Sequence, residues 1–430
     1  MNLSQLWKKE DWWTVWLGFI MIFGAVFGVL SRPELPKRWG IEGAETISAS
    51  ISMSTLPGIL LTGIIIMVLC SVSIYFIKKE EFAGFLKAFP IIFILAILAY
   101  VAGNYNPWRH YGFNDVIWAL ALGLLISNTI KTPKFLEGAV RTELYIKTGL
   151  VLLGASILFN RMMALGMLGL GVAWVVTPVV VIFMFWFSQK VLKMQDNRGL
   201  AITIAASTSV CGVSAAIAAG TAAKARKEEI SLAISVTLIF TVLMMLFMPA
   251  VVRVAGIDPI VGGAWLGGTI DSTGAVVAAG AMLGPDAMEV ASVIKMIQNI
   301  MVGIIAFGVA VFFVAVYEKG EGKTAVGPME IWIRMPKFII GFIAASVIFS
   351  FFLADATVES SLSVVNAYRG FFFTLAFVSI GLETNFAEMA RMVQGGKPLT
   401  LYLIGQTFNI ILTLLAAWFF FSGTFFELPF

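Results

Sequence analysis

Two stretches of glycine and small hydroxyl residues interrupt a chain that is otherwise made for lipid. One runs Ser207-Thr208-Ser209-Val210-Cys211-Gly212-Val213-Ser214 and continues to Gly220; the other runs Thr269-Ile270-Asp271-Ser272-Thr273-Gly274 and continues to Gly280. Cys211–Gly220 lies over Asp271–Gly280 without a gap. An unbroken membrane helix satisfies its backbone internally and has no need of such residues. A break bares N–H and C=O groups, which is tolerated at membrane depth only where protein or a water-lined cavity covers them. Two related broken helices are the sequence mark of a secondary transporter's binding site.

The rest of the chain sets the medium. Of its 430 residues 59% are hydrophobic and 13% charged, outside the range of soluble domains. Apolar segments recur near residues 13–32, 58–77, 88–103, 115–131, 143–159, 164–188, 198–222, 229–253, 260–283, 289–317, 336–354, 365–383 and 399–421. Most have the length that a hydrocarbon core of ~30 Å demands. None alternates as barrel strands do. The expected fold is therefore an all-α polytopic membrane protein of about 11–13 transmembrane helices, with the breaks inside 198–222 and 260–283. Residues 1–80 read as additional N-terminal spans. Arg32–Thr55 reads as a polar loop and Glu318–Trp332 as a charged linker. The distribution of Lys and Arg favours a cytoplasmic N-terminus, with Lys224-Ala225-Arg226-Lys227 as the exception.

A second internal echo pairs Leu153-Gly154-Ala155-Ser156-Ile157-Leu158-Phe159 with Ile380-Gly381-Leu382-Glu383-Thr384-Asn385-Phe386, matching at glycine and phenylalanine. With the broken segments as B and B′, the order along the chain is A, B, B′, A′. A tandem duplication gives A, B, A′, B′. Either the repeat is permuted or one echo is accidental.

The first break is the main site candidate. The half-helix that restarts after it presents unpaired N–H groups and a partial positive charge, a ready anion site. Ser207, Thr208, Ser209 and Ser214 add hydroxyls beside Cys211 and Gly212. Close packing through small residues is the competing account, and it fits the tail Ala215–Gly220 better. In the second break Thr269, Ser272, Thr273 and Gly274 would face the first. Asp271 is a carboxylate within a span, a functional group by default; it is expected to bind H⁺ or Na⁺, against a helix-capping role. Lys295, Gln298 and Asn299 share one helical face and are expected to look into protein, with Lys295 as electrostatic partner of Asp271 or snorkelling to the interface. Asn128, Glu383, Thr384 and Asn385 end apolar runs and are secondary candidates, with capping as their plainer role. Lys147 and Arg369 read as snorkelling side chains near the starts of spans.

Other chemistries lack their residues. Cys70 and Cys211 give no metal spacing and His110 is the sole histidine, so no metal site is expected. No P-loop, zincin motif or nucleophile elbow is present. The expectation is no enzyme, no cofactor and no nucleic-acid partner.

Several local runs together resemble the YeiH family of bacterial inner-membrane proteins, named for sulfate export. They are Gly149–Gly154, Ser209-Val210-Cys211-Gly212, Val276–Gly280, Pro285-Asp286-Ala287, Lys295-Met296 and Gly381-Leu382-Glu383-Thr384, and the resemblance covers roughly residues 88–425. That family is similar to the wider cation/proton antiporter and anion transporter superfamily. The resemblance implies an inverted-repeat core with two discontinuous crossing helices that moves against a panel domain, both within 81–430. It implies a bacterial inner-membrane location, alternating access, a homodimer, and a small anion as substrate: sulfate, sulfite or an organosulfonate. A passive anion channel and a membrane sensor without transport are the rival functions. The chain departs from the family where many relatives carry His-Glu in place of Asp271-Ser272, Gln in place of Ala275 and Arg in place of Gln298.

Overall fold

The computed structural model describes residues 5–110, 113–317, 332, 335–392 and 396–428. Among these the chain is helical, and the helices follow the apolar segments. We number them α1 (Glu10–Val26), α2 (Leu56–Ile77), α3 (Phe82–Gly103), α4 (Asp115–Thr129), α5 (Thr142–Ser156), α6 (Phe159–Leu170), α7 (Val176–Lys190), α8 (Arg198–Ser209), α9 (Gly212–Ala222), α10 (Lys227–Val254), α11 (Pro259–Thr269), α12 (Thr273–Leu283), α13 (Pro285–Val316), α14 (Phe338–Phe351), α15 (Asp355–Glu383) and α16 (Lys397–Phe421). A π-helical turn, Gly171–Val175, joins α6 to α7. Seven of the described helices, counting each run through such a turn as one, are long and apolar enough to cross a membrane. The Arg32–Thr55 loop holds only the single helical turn Ile47–Ser50. The predicted Glu318–Trp332 linker, Trp332 apart, lies outside the described residues.

Packing inverts the soluble pattern. On α2 the inward positions include Thr62, Gly63, Cys70, Ser71 and Ser73, while Leu60, Ile64, Val68 and Val72 point outward at 42–55% exposure. Large apolar side chains at every fourth position make a stripe along one helical face. Lipid already solvates such a stripe, so close approach of small residues drives helix association instead.

The chain forms two compact units, each discontinuous in sequence. The first holds Met1–Met162 and Lys337–Asn385, the second Met163–Pro336 and Phe386–Phe430. The segment 1–80 contributes α1 and α2 to the first. Within that unit α4 packs on α15 and α14 packs on α5, while α5 and α15 also pack on each other. Within the second unit α7 packs on α8 as α16 packs on α11, and α9 packs on α13 as α12 packs on α10. Each unit therefore shows the exchange pattern of a two-fold repeat. One copy is α4, α5, α7, α8/α9, α10. The other is α14, α15, α16, α11/α12, α13, with its broken helix and α13 moved to the front in sequence.

This permutation explains the order A, B, B′, A′. Gly154 ends α5 and Gly381 ends α15, at equivalent places. A Cβ on Gly154 would lie within van der Waals overlap of the Phe342 carbonyl of α14, and one on Gly381 would meet Leu120 O and Gly123 of α4. Both glycines exist to let equivalent helix pairs touch backbone to backbone.

Candidate functional site

Both predicted breaks are real. α8 and α9, of 12 and 11 residues, are separated by Val210 and Cys211, which leave helical geometry (φ −128°, ψ −82°; φ −149°, ψ 106°). α11 and α12, of 11 residues each, are separated by Ile270, Asp271 and Ser272, the first and last of them in extended backbone. At ~1.5 Å per residue each half measures roughly 17 Å, so two halves match a ~30 Å core and the break falls near its middle. The two breaks meet: the Gly212 N–H donates to the Asp271 carbonyl at 2.5 Å. A side chain at Gly212 would strike Thr237 Cγ2 of α10, so glycine is what permits the crossing.

A helix that ends inside the membrane leaves its last carbonyls without partners. Here side chains from α13 and α16 supply the missing donors. Lys295 Nζ donates to Val210 O at 2.5 Å. Gln298 Nε2 reaches Ser209 O at 2.9 Å and Gly268 O at 3.1 Å, tying the ends of both first halves with one amide. Gln406 Nε2 donates to Thr269 O at 3.1 Å and Asn409 Nδ2 to Thr208 O at 3.3 Å. Lys295 also donates to Gln298 Oε1 at 2.5 Å, and Asn299 Nδ2 to Thr273 Oγ1 at 3.0 Å. Lys295, Gln298 and Asn299 are each 1% exposed. Lys295 lies in protein, not at the interface, and spends its ammonium on the first break and Gln298, with no ion pair to Asp271 within bonding distance. Asp271, also 1% exposed, accepts on Oδ2 from Tyr402 OH at 2.8 Å.

The predicted hydroxyls divide into two groups. Ser207, Thr208 and Ser209 are buried and donate back into their own helix, to Ile204 O, Ile204 O and Ala205 O; Ser207 also accepts from Thr237 Oγ1 at 3.0 Å. Thr269, Thr273 and Gly274 are buried too. Ser214 is exposed, and Cys211 and Ser272 are half-buried. Neither Cys211 nor Ser272 caps the half-helix it begins, so the first-turn N–H groups of α9 and α12 keep no side-chain acceptor. The C-terminal ends at the crossing are filled by side chains; the N-terminal ends have no side-chain cap, and only the Gly212 N–H is taken, by the Asp271 carbonyl.

Tyr402, Gln406, Asn409 and Thr237 belong to the site and were not expected. The first three recur at i, i+4 and i+7 on α16, a polar stripe in an apolar helix, which is the signal that marks them.

The secondary candidates gather in the first unit. Asn128 Nδ2 and Ser127 Oγ donate to Thr384 O at 2.9 and 2.6 Å, Asn385 Nδ2 donates to Ser127 O at 2.5 Å, and Thr142 Oγ1 donates to Glu383 Oε2 at 2.9 Å. The ends of α4 and α15 thus cap one another. Lys147 pairs with Asp11 at 2.7 Å and Glu143 at 3.1 Å. Arg369 is a correction: α15 starts ten residues earlier than the apolar run, so Arg369 falls mid-helix and cannot be a side chain at a span's start. Its Nη1 donates to Ser156 Oγ at 3.1 Å, which donates to Asn366 Oδ1 at 2.6 Å.

With this geometry in place, comparison with known proteins fixes the family. Residues 87–402 match the family model described as conserved hypothetical protein 698. A UPF0324 membrane protein of Rhodopirellula baltica is 50% identical over 91% of this chain and 72% of its own length. One from Nitratidesulfovibrio vulgaris is 46% identical over 88% and 68%, and one from Nitrosomonas europaea is 28% identical over 98% and 97%. The chain belongs to the UPF0324 membrane protein family. No solved structure matches it.

Proposed function

We propose that this UPF0324 protein is a secondary active transporter of a small anion, working by alternating access in a bacterial inner membrane with H⁺ or Na⁺ coupled through Asp271. The observation that carries the reading is the crossing itself: two interrupted helices touch at their breaks, and a carboxylate and an ammonium are buried there within a few residues' reach. An intramembrane charge is costly and is kept where it serves transport. N-terminal ends without a side-chain cap, as on α9 and α12, suit an anion. The accessible candidates for contacting it are Cys211, Ser214 and Ser272; the buried hydroxyls Ser207, Thr208, Ser209, Thr269 and Thr273, with Gly212 and Gly274, shape the break behind them. Sulfate, sulfite or an organosulfonate is the substrate class suggested by the YeiH resemblance.

The test is accumulation of labelled sulfate, sulfite and taurine in proteoliposomes under imposed ion gradients. We expect uptake above the equilibrium level for wild type. Asp271→Asn keeps an acceptor for Tyr402 and should fold, yet lose the ion-driven component. Flux that only equilibrates the anion would make the protein a passive pore. Unchanged accumulation by Asp271→Asn would remove Asp271 from coupling.

A further inference from the structure

Around Asp271 the structure leaves buried oxygen atoms with no hydrogen-bond partner: Thr269 Oγ1, Gln406 Oε1 and Thr241 Oγ1. Their residues are 1%, 4% and 3% exposed. Buried polar atoms are almost always paired, so each orphan asks for an occupant. Side-chain contacts link their residues. Gln406 Nε2 bonds Thr269 O at 3.1 Å and lies 2.8 Å from Met244 Sδ, and Met244 stands one turn beyond Thr241 on α10. Tyr402, one turn before Gln406 on α16, holds Asp271 Oδ2. Asp271 and the three orphans therefore stand on neighbouring turns of α10, α16 and the end of α11.

The chemistry of the set narrows the occupant. Its members are a carboxylate, an amide carbonyl and two hydroxyl oxygens, the donor set of a hard cation. A proton on Asp271 would satisfy one acceptor and leave the others bare. Lys295 does not fill the role: its ammonium bonds Val210 O and Gln298 Oε1 and none of these four oxygens' residues. The carbonyl end of α11 adds negative potential on the same side.

We infer that Asp271, Thr241, Thr269 and Gln406 bind a dehydrated Na⁺ ion. The inference rests on the proposed transport only for the ion's role in coupling; the site itself is a matter of binding. A ligand that binds the folded state raises the melting temperature by mass action. The detergent-purified full chain is melted in choline chloride, then titrated with NaCl or KCl at constant ionic strength. Na⁺ should raise the melting temperature saturably, and K⁺ should not. Thr241→Val removes an unpaired hydroxyl with little change of shape. In choline it should melt at or above wild type, because a buried orphan is gone, and its half-maximal Na⁺ concentration should rise at least about tenfold, the effect of losing ~1.4 kcal/mol of binding.

Equal responses to Na⁺ and K⁺, or an unchanged Na⁺ response in Thr241→Val, overturn the site. So does a Thr241→Val destabilisation that is the same with and without Na⁺, which would mean an ordered water instead. Flux separates this inference from the transport reading. Na⁺-selective stabilisation without anion accumulation keeps the site and removes the transporter. Accumulation that ignores Na⁺, with no Na⁺-selective stabilisation, keeps the transporter and removes the site.

Discussion

Gln298→Leu should cost the protein more stability than any other single polar deletion at the crossing. Gln298 donates to Ser209 O, to Gly268 O and, at 3.3 Å, to Thr177 Oγ1, and it accepts from Lys295. Leucine fills the volume and removes all of these at once. It strands two helix-end carbonyls and one lysine proton in a site that water does not reach. Orphaned groups in soluble cores cost ~1–3 kcal/mol each, which for three groups would give about 3–9. Interhelical hydrogen bonds measured in membrane proteins average ~0.6 and reach ~1.7 kcal/mol, because the unfolded chain in the membrane also finds partners. The overlap of the two scales, three groups on each, puts the loss at about 3–5 kcal/mol. Reversible unfolding in mixed micelles measures it. Thr407→Val is the control: that hydroxyl is exposed and bonds only its own helix, at Leu403 O, so its loss should stay within ~0.5 kcal/mol. Gln298→Glu keeps an acceptor for Lys295 while losing both carbonyl donors, and should recover only part of the deficit. A Gln298→Leu loss no larger than that of Thr407→Val would refute the idea that this amide holds the two breaks closed.

Two further outcomes follow from packing. Gly381→Val places a side chain 2.5 Å from the Leu120 carbonyl and 2.8 Å from Gly123 Cα; backbone cannot step aside, and the α4–α15 pair should lose at least ~1–3 kcal/mol, read as a lowered yield of monodisperse protein and a lowered melting temperature. Cys70 is fully buried whereas Cys211 is partly exposed, so a maleimide should modify the folded chain once, at Cys211, and stop doing so in Cys211→Ser; labelling at Cys70 before unfolding would contradict the packing of α2.

Much of this was legible in the sequence because membrane helices obey a one-dimensional rule. Long apolar runs mark spans, and a run that carries Ser, Thr, Gly and Asp marks a break. The two interruptions were therefore visible before any fold was known. The division into two units was not, because it depends on which helix packs on which, and α14 and α15 return to the first unit after most of the second has been made. The permuted repeat shows the same limit: two glycines in matching heptapeptides hinted at it, but only their contacts with α14 and α4 reveal equivalence. Hydroxyls were over-read. Ser207, Thr208 and Ser209 look like ligands in a sequence, yet in a helix each can bond the carbonyl a turn back, and here each does. Amides were under-read. Gln406 and Asn409 sit in a helix that passes every hydropathy test, and their partners lie some 140 and 200 residues away in sequence, beyond any local pattern.

The four half-helix ends at the crossing are not electrically equivalent. Each helix end carries roughly half an elementary charge, positive where the helix begins and negative where it stops. Lys295 stands on the negative end of α8, and Asp271 stands just ahead of the positive end of α12, so those two ends are balanced by full charges. The negative end of α11 has only the neutral amides of Gln298 and Gln406, and the positive end of α9 has no side-chain cap at all. What remains is a deficit of positive charge beside Thr269 and a deficit of negative charge beside Cys211 and Ser214. A cation at the first and an anion at the second would complete the balance together. In a low-dielectric interior each would favour the other's binding, and by linkage the two affinities must rise by the same factor. Coupling of an anion to a cation then needs no relay between distant sites. It follows from one pair of broken helices whose charges the protein has neutralised only by half.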